Sequence, residues 1–158
     1  MSAFYDLGEE ITQRLKGVSA LGTIAIVTER QRDIQKEVEA AVGKQTGSVL
    51  VVAWTSANIA DDPAEGPRFE GVFTITGFFK PVIRPGMMPA DEVMQAIVVA
   101  LHDWIPASGH GIRYNRLRVT NVAPGTIGNL LTYQVTLTAA VQLPTPDANG
   151  NIPTPPQP

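Results

Sequence analysis

The sequence predicts an α+β fold: an antiparallel or mixed sheet of four to five strands with helices packed on one face. Three stretches carry that expectation. LTYQVTLTAAVQL at 131–143 alternates: Leu131, Tyr133, Val135, Leu137, Ala139, Val141 and Leu143 point one way, and Thr132, Gln134, Thr136, Thr138, Ala140 and Gln142 the other. A period of two with one apolar and one polar face marks an antiparallel strand buried on one side. SVLVVAWTS at 48–56 and RFEGVFTITGFFKPVI at 68–83 are β-branched and aromatic runs of strand length. Between them ANIADDPAEGP is rich in Asp, Pro, Ala and Gly, which predicts a long hairpin loop over 57–67. Finally, ADEVMQAIVVALHDWI at 90–105 sets Val93, Ile97, Leu101 and Trp104 on one helical stripe, with Met94, Val98 and Ile105 beside it.

The remaining elements follow in chain order. Asp6 and Glu9 have the spacing of an N-cap and its reciprocal partner, and Leu7, Ile11 and Leu15 recur every fourth residue, so 6–16 is an amphipathic helix closed by a left-handed Gly17. A short β-rich run covers 22–28. A second helix is expected over 30–42, with Ile34, Val38 and Val42 on its apolar stripe, charged residues on its other face and Gly43 as its stop. Pro81 and Pro85 lack backbone donors and should stop the second hairpin strand near Lys80. In the 90–105 helix, Asp91 and Glu92 complement the dipole of the first turn, and Pro106 and Gly109 end the element. IRYNRLRVTNV at 112–122 reads as a strand, followed by a turn in PGTIGN. The order of helix, short strand, helix, hairpin, helix and two strands places helices on one face of a sheet. Residues 1–143 form the expected domain. Residues 144–158 hold six prolines and are expected to favour an extended, polyproline-like conformation.

Composition narrows the function. The chain has 158 residues, 44% apolar and 17% charged, and a net charge of −3. The charged fraction lies below the ~25% of an ordinary soluble domain, which suggests surface covered by partners. A net negative charge speaks against a nucleic-acid reader. The chain has no cysteine, which excludes disulfides and thiolate chemistry. The N-terminus lacks the basic start and apolar core of a secretory signal, and the longest apolar stretches fall far short of the ~20 residues that span a bilayer. The expectation is a soluble, intracellular protein with no membrane contact.

Chemistry is sparse. GKQTGS at 43–48 superficially resembles a phosphate loop, but Val38 stands where the leading glycine belongs and Gln45 follows the lysine. His102, Asp103 and His110 lack the His-x-x-x-His spacing that puts two zinc ligands on one helical face. Ser108-Gly109-His110 lacks a nucleophile elbow. No catalytic, cofactor-binding or metal-binding residue is assigned, and an enzyme is not expected. Arg113, Arg116 and Arg118 form the basic cluster, with Arg116 and Arg118 on one strand face and Arg113 on the other. Asp61, Asp62 and Glu65 in the hairpin loop form an acidic counterpart. These six are the candidate interface residues, since a basic patch on one subunit and an acidic loop on the next are complementary.

In size and element order, residues 4–143 resemble the tail-terminator and tail-completion proteins of long-tailed bacteriophages. FYDLGEEITQRLKG, the strand pair SVLVVAWTSAN and RFEGVFTITGFFKPVI, the helix ADEVMQAIVVALHDWI and the closing strand LTYQVTLTAAVQL carry the resemblance. It implies a subunit of a six-membered ring that caps the tail tube, stops its polymerisation and presents a surface to the head connector. The implied partners are further copies of itself, the tail tube protein, head–tail connector or neck proteins and a sheath protein, with DNA only as passing cargo. The implied location is the virion tail or neck, with host cytoplasm during assembly. The family has no catalytic residues to carry over. Two other readings stand beside it: a different neck, connector or baseplate protein, and a small ligand-binding or enzymatic domain using His102, His110 and Arg113.

Overall fold

The computed structural model describes residues 3–22, 24–28, 36, 38–40, 48–62, 66–80, 88–107, 112–144 and 147–151, with the side chains of 60–62, 66 and 67 outside that description. Helix α1 spans Ala3–Lys16, a 3-10 turn covers Ser19–Leu21, and β1 is Ala25–Thr28. The long hairpin is β2, Ser48–Asp62, and β3, Gly66–Phe79. Helix α2, Ala90–Leu101, precedes β4, Arg113–Tyr114, then β5, Arg118–Ile127, and β6, Leu130–Gln142. These strands make one mixed sheet in the order β1-β2-β3-β6-β4, with β5 on the same outer edge of β6 as β4. β1 runs parallel to β2 and every other pairing is antiparallel. The fold class is the expected one. The strand count is six rather than four to five, because the stretch expected as one strand at 112–122 is divided into β4 and β5.

Alternation along the strands builds the core. Leu50, Val52, Phe73, Ile75, Val135, Leu137, Ala139 and Val141 are all buried and face the two helices. Against them α1 packs Leu7, Ile11 and Leu15, and α2 packs Val93, Met94, Ile97 and Leu101. On the opposite face a smaller cluster joins buried Val27 and Val49 to Ala25, Val38, Val51 and Phe78. Val38 belongs to the expected second helix, of which Lys36 and residues 38–40 have helical backbone and the rest lies outside the described residues. The helices are tied at the seam, where Arg14 Nε donates to the Ala100 carbonyl at 3.1 Å and its guanidinium lies 5.3 Å from the Trp104 ring centroid.

Several boundaries differ from the sequence expectation, each for a local reason. α1 begins at Ala3, so Asp6 sits in its first turn instead of capping it. Gly17 continues the helical hydrogen bonding, its N–H reaching the Gln13 carbonyl at 3.1 Å, and its φ is not positive. α2 ends at Leu101, a turn early, because Asp103 adopts a left-handed φ of 62°. Short polar Asp tolerates that conformation better than most residues. The Asp103 N–H then reaches the Leu117 carbonyl and the Leu117 N–H returns to the Trp104 carbonyl, both at 2.9 Å. Trp104 and Ile105 therefore lie beyond the end of the helix, not on its stripe.

The greatest difference is in the hairpins. Asn58 pairs with Glu70, Ile59 with Phe69, Ala60 with Arg68, Asp61 with Pro67 and Asp62 with Gly66, so most of the expected loop 57–67 is strand. The predicted turn after Val122 shrinks in the same way to the corner at Gly128 and Asn129, where Gly128 has φ 58°. Pro124 fits within β5 because β5 is an edge strand, where no neighbour needs its missing donor. β3 does end at Phe79, where the following prolines predicted it would. Two of the three long ladders, β2–β3 and β5–β6, carry a one-residue bulge, and both bulged residues are threonines. Thr55 Oγ1 donates to the Val72 carbonyl at 3.0 Å and Thr120 Oγ1 to the Thr136 carbonyl at 3.3 Å, so each hydroxyl satisfies the facing strand at the break in the ladder. In the Pro-rich extension, residues 147–151 form a hydrogen-bonded turn rather than an extended segment. The Asp147 carboxylate accepts the N–H groups of Asn149 at 2.9 Å and Asn151 at 2.8 Å. These bonds hold its pKa below the usual carboxylate value.

Candidate assembly surface

The face of the sheet turned away from α1 and α2 is polar and largely uncharged along β3 and β6, with Thr74, Thr76, Gln134, Thr136 and Thr138 in adjoining rows. Towards the hairpin tip its character changes. The next rows on that face bring Glu70 beside Ala140, and Arg68 beside Gln142. Across β6, Arg118 pairs with Thr138 and Arg113 with Gln142.

A cleft of about 580 Å³ opens there, lined by Arg68, Glu70, Arg116, Arg118, Thr138 and Ile105 among others. The link between β4 and β5 sets its far wall. Leu117 is fully buried, so its neighbours Arg116 and Arg118 project outward on either side of it. The Asn115 N–H bonds the Ala140 carbonyl at 3.0 Å and clamps that wall to β6. On the near wall Arg68 and Glu70 are two residues apart on β3, hence on one face. Their side chains meet at only 4.0 Å while 42% and 54% exposed, a pairing that contributes little. The Arg68 Nε atom is itself buried and has no hydrogen-bond partner among the described residues. Among the described residues the cleft thus gathers three guanidinium groups against one carboxylate, and one of its donors is desolvated without an acceptor.

Of the residues singled out from sequence, Arg116 and Arg118 enter this cleft. Arg113 is exposed on β4 and does not line it. Asp61 and Asp62 stand at the last two rows of β2, and Glu65 lies outside the described residues. Arg68 and Glu70 were not singled out, although the spacing R-F-E on a strand places both charges on the face opposite the aromatic ring. The alternative trio does not form one site among the described residues. His102 Nδ1 accepts the Val119 N–H at 3.2 Å, and that imidazole borders a shallow depression beside Val98 and Val119–Val122, away from Arg113. His110 lies outside the described residues. Among the described residues, no group of three or more potential ligands is placed to hold a metal ion, and no helix is long and apolar enough to cross a membrane.

No family model matches the chain, and no curated protein matches it. Solved structures do. A chain from the virion of a native gene transfer agent particle superposes with a TM-score of 0.58 at 16% identity, over 86% of this chain and 94% of that one. A second solved chain, whose description states no function, gives a TM-score of 0.59 at 17% identity, over 90% of this chain and 95% of that one. At such identities the likeness is one of fold, and it takes in nearly the whole of each chain.

Proposed function

We propose that this chain is a structural protein of a phage-like virion, and within the virion a tail terminator whose ring caps the tail tube and joins it to the head connector. The observation that carries this reading is the near end-to-end fold likeness to a chain of the gene transfer agent virion. The surface supports it. The outer edge of β5 pairs with no strand, and β1 covers β2 only from Val49 to Val52, so both margins of the sheet leave backbone groups open among the described residues. Open margins of this length call for a neighbour. Ile59 and Ile127, at 73% and 59% exposure, lie along those same margins. The partners in this reading are further copies of the chain, the tail tube and the neck proteins, with DNA passing through unread.

Light scattering of the purified protein over a concentration series, alone and with tail tubes added, tests it. A discrete multimer near six subunits, or a monomer converted to one by tubes, is the expected result. A chain that stays monomeric and leaves tube length unrestricted overturns the reading.

A further inference from the structure

We propose that the arginine cleft is a carboxylate-binding site that receives the acidic hairpin tip, Asp61 and Asp62, of a second copy of this chain. The inference rests on the ring reading above and specifies a contact between its subunits.

The cleft's chemistry defines its occupant. Among the described residues Arg68, Arg116 and Arg118 oppose Glu70 alone, so the lining carries a surplus of positive charge. A buried guanidinium nitrogen without an acceptor is costly, and Arg68 Nε is one. Carboxylates accept without donating and match the planar fork of arginine with two oxygens. A carboxylate carried on a narrow two-stranded support reaches into a cleft of guanidinium groups better than one on a flat helical face does.

The tip has that shape. The last pair joining β3 to β6 is Arg68 with Gln142. The rows Asp61–Pro67 and Asp62–Gly66 continue beyond it and have no further strand on either side among the described residues. The hairpin therefore ends in a two-stranded tongue that carries adjacent aspartates. Tongue and cleft are different surfaces, so their contact is heterologous, the kind that closes into a ring when the rotation permits. Because Arg68 pairs with Ala60, both surfaces lie at one end of the sheet, and the contact forms one rim of that ring.

The test is a charge swap in the full chain, read as mass against concentration, with circular dichroism checking that each variant folds. Arg116→Glu with Arg118→Glu moves the concentration at which the multimer forms upward by about 30-fold or more. Asp61→Arg with Asp62→Arg does the same. Combining all four substitutions restores assembly, because the charges have exchanged places. Arg113→Glu, outside the cleft, leaves assembly unchanged. A multimer indifferent to both charge reversals overturns this contact while the ring reading stands, as does a combined variant no better than either pair. So does an Arg116→Glu/Arg118→Glu protein that assembles normally but loses retention of a duplex oligonucleotide, which would make the cleft a phosphate site. A wild-type chain monomeric at every concentration, with or without tubes, overturns both readings.

Discussion

The phenol of Tyr114 donates a hydrogen bond of 3.1 Å to the backbone carbonyl of Ala3, joining β4 to the first residue of α1 across 111 positions of sequence. The ring is 8% exposed, and burial, followed by the negative charges of Asp6 and Glu10, pushes the phenol from 10.0 up to about 12. In the unfolded chain it ionises near pH 10, so the folded state binds the proton more tightly between the two values. The stabilisation is complete below pH 10 and is lost as pH rises towards 12. Urea midpoints measured from pH 8 to 12 should fall across that window more steeply for the wild type than for Tyr114→Phe. Near neutral pH, Tyr114→Phe should cost about 1 kcal/mol for the lost bond. Parallel pH profiles for the two proteins would show that the fold does not hold this phenol neutral.

Gly77 is a second fixed point. A methyl group there would lie 2.5 Å from Phe79 Cε2 and 2.8 Å from Cζ, with the Met94 methyl at 3.1 Å. The ring has little room to yield, being 3% exposed and set edge-on to Tyr133 at 6.2 Å between centroids. Gly77→Ala should therefore destabilise by about 1–3 kcal/mol through overpacking, despite the better strand propensity of alanine. Thermal unfolding measures this directly. An unchanged or raised Tm would mean that the ring moves aside freely.

Arg14 closes the seam between the helices by a planar contact and a directed bond together. Lysine keeps the charge but offers neither the Nε–H direction to Ala100 nor a flat group to lie over Trp104. Arg14→Lys should lower stability by about 1 kcal/mol, with Trp104 fluorescence reporting a wetter indole. Wild-type emission and stability in the variant would show that the positive charge alone suffices.

Much of this fold was legible because burial imposes a period. The alternation in β6 and the stripe of α2 survive from sequence to structure, since misplacing them would put Val135 or Ile97 in water. The hairpin extensions were not legible. Turn-forming residues at 57–67 are locally poor strand formers, but each row from Asn58–Glu70 onward adds ladder bonds to an existing hairpin, and that cooperative gain outweighs propensity. The end of α2 was hidden because Asp103's left-handed turn is secured from Leu117, fourteen residues away. The candidate surface was half legible for the same reason. Arg116 and Arg118 stand out as a sequence cluster, whereas Arg68 joins them only through the β3–β6–β5 pairing. Arg113 stands in the row of Arg68, across Gln142, yet does not line the cleft.

The hairpin tongue gives the last prediction. Ala60 and Arg68 are directly opposed, so an Asn-Gly turn joining them, in place of residues 61–67, closes the strands with a two-residue loop of the hand that hairpins favour. Arg68 and its pairing with β6 are kept, because the excised rows lie beyond β6. The shortened protein should show the wild-type circular dichroism spectrum and a Tm within a few degrees of wild type, yet fail to form the multimer. Charge reversal alters the tip's sign, whereas this excision removes its reach, so the two experiments separate electrostatics from shape. Assembly by the shortened chain at wild-type concentrations would show that the tongue contributes nothing to the contact between copies, and would leave the open edges of β2 and β5 to make it.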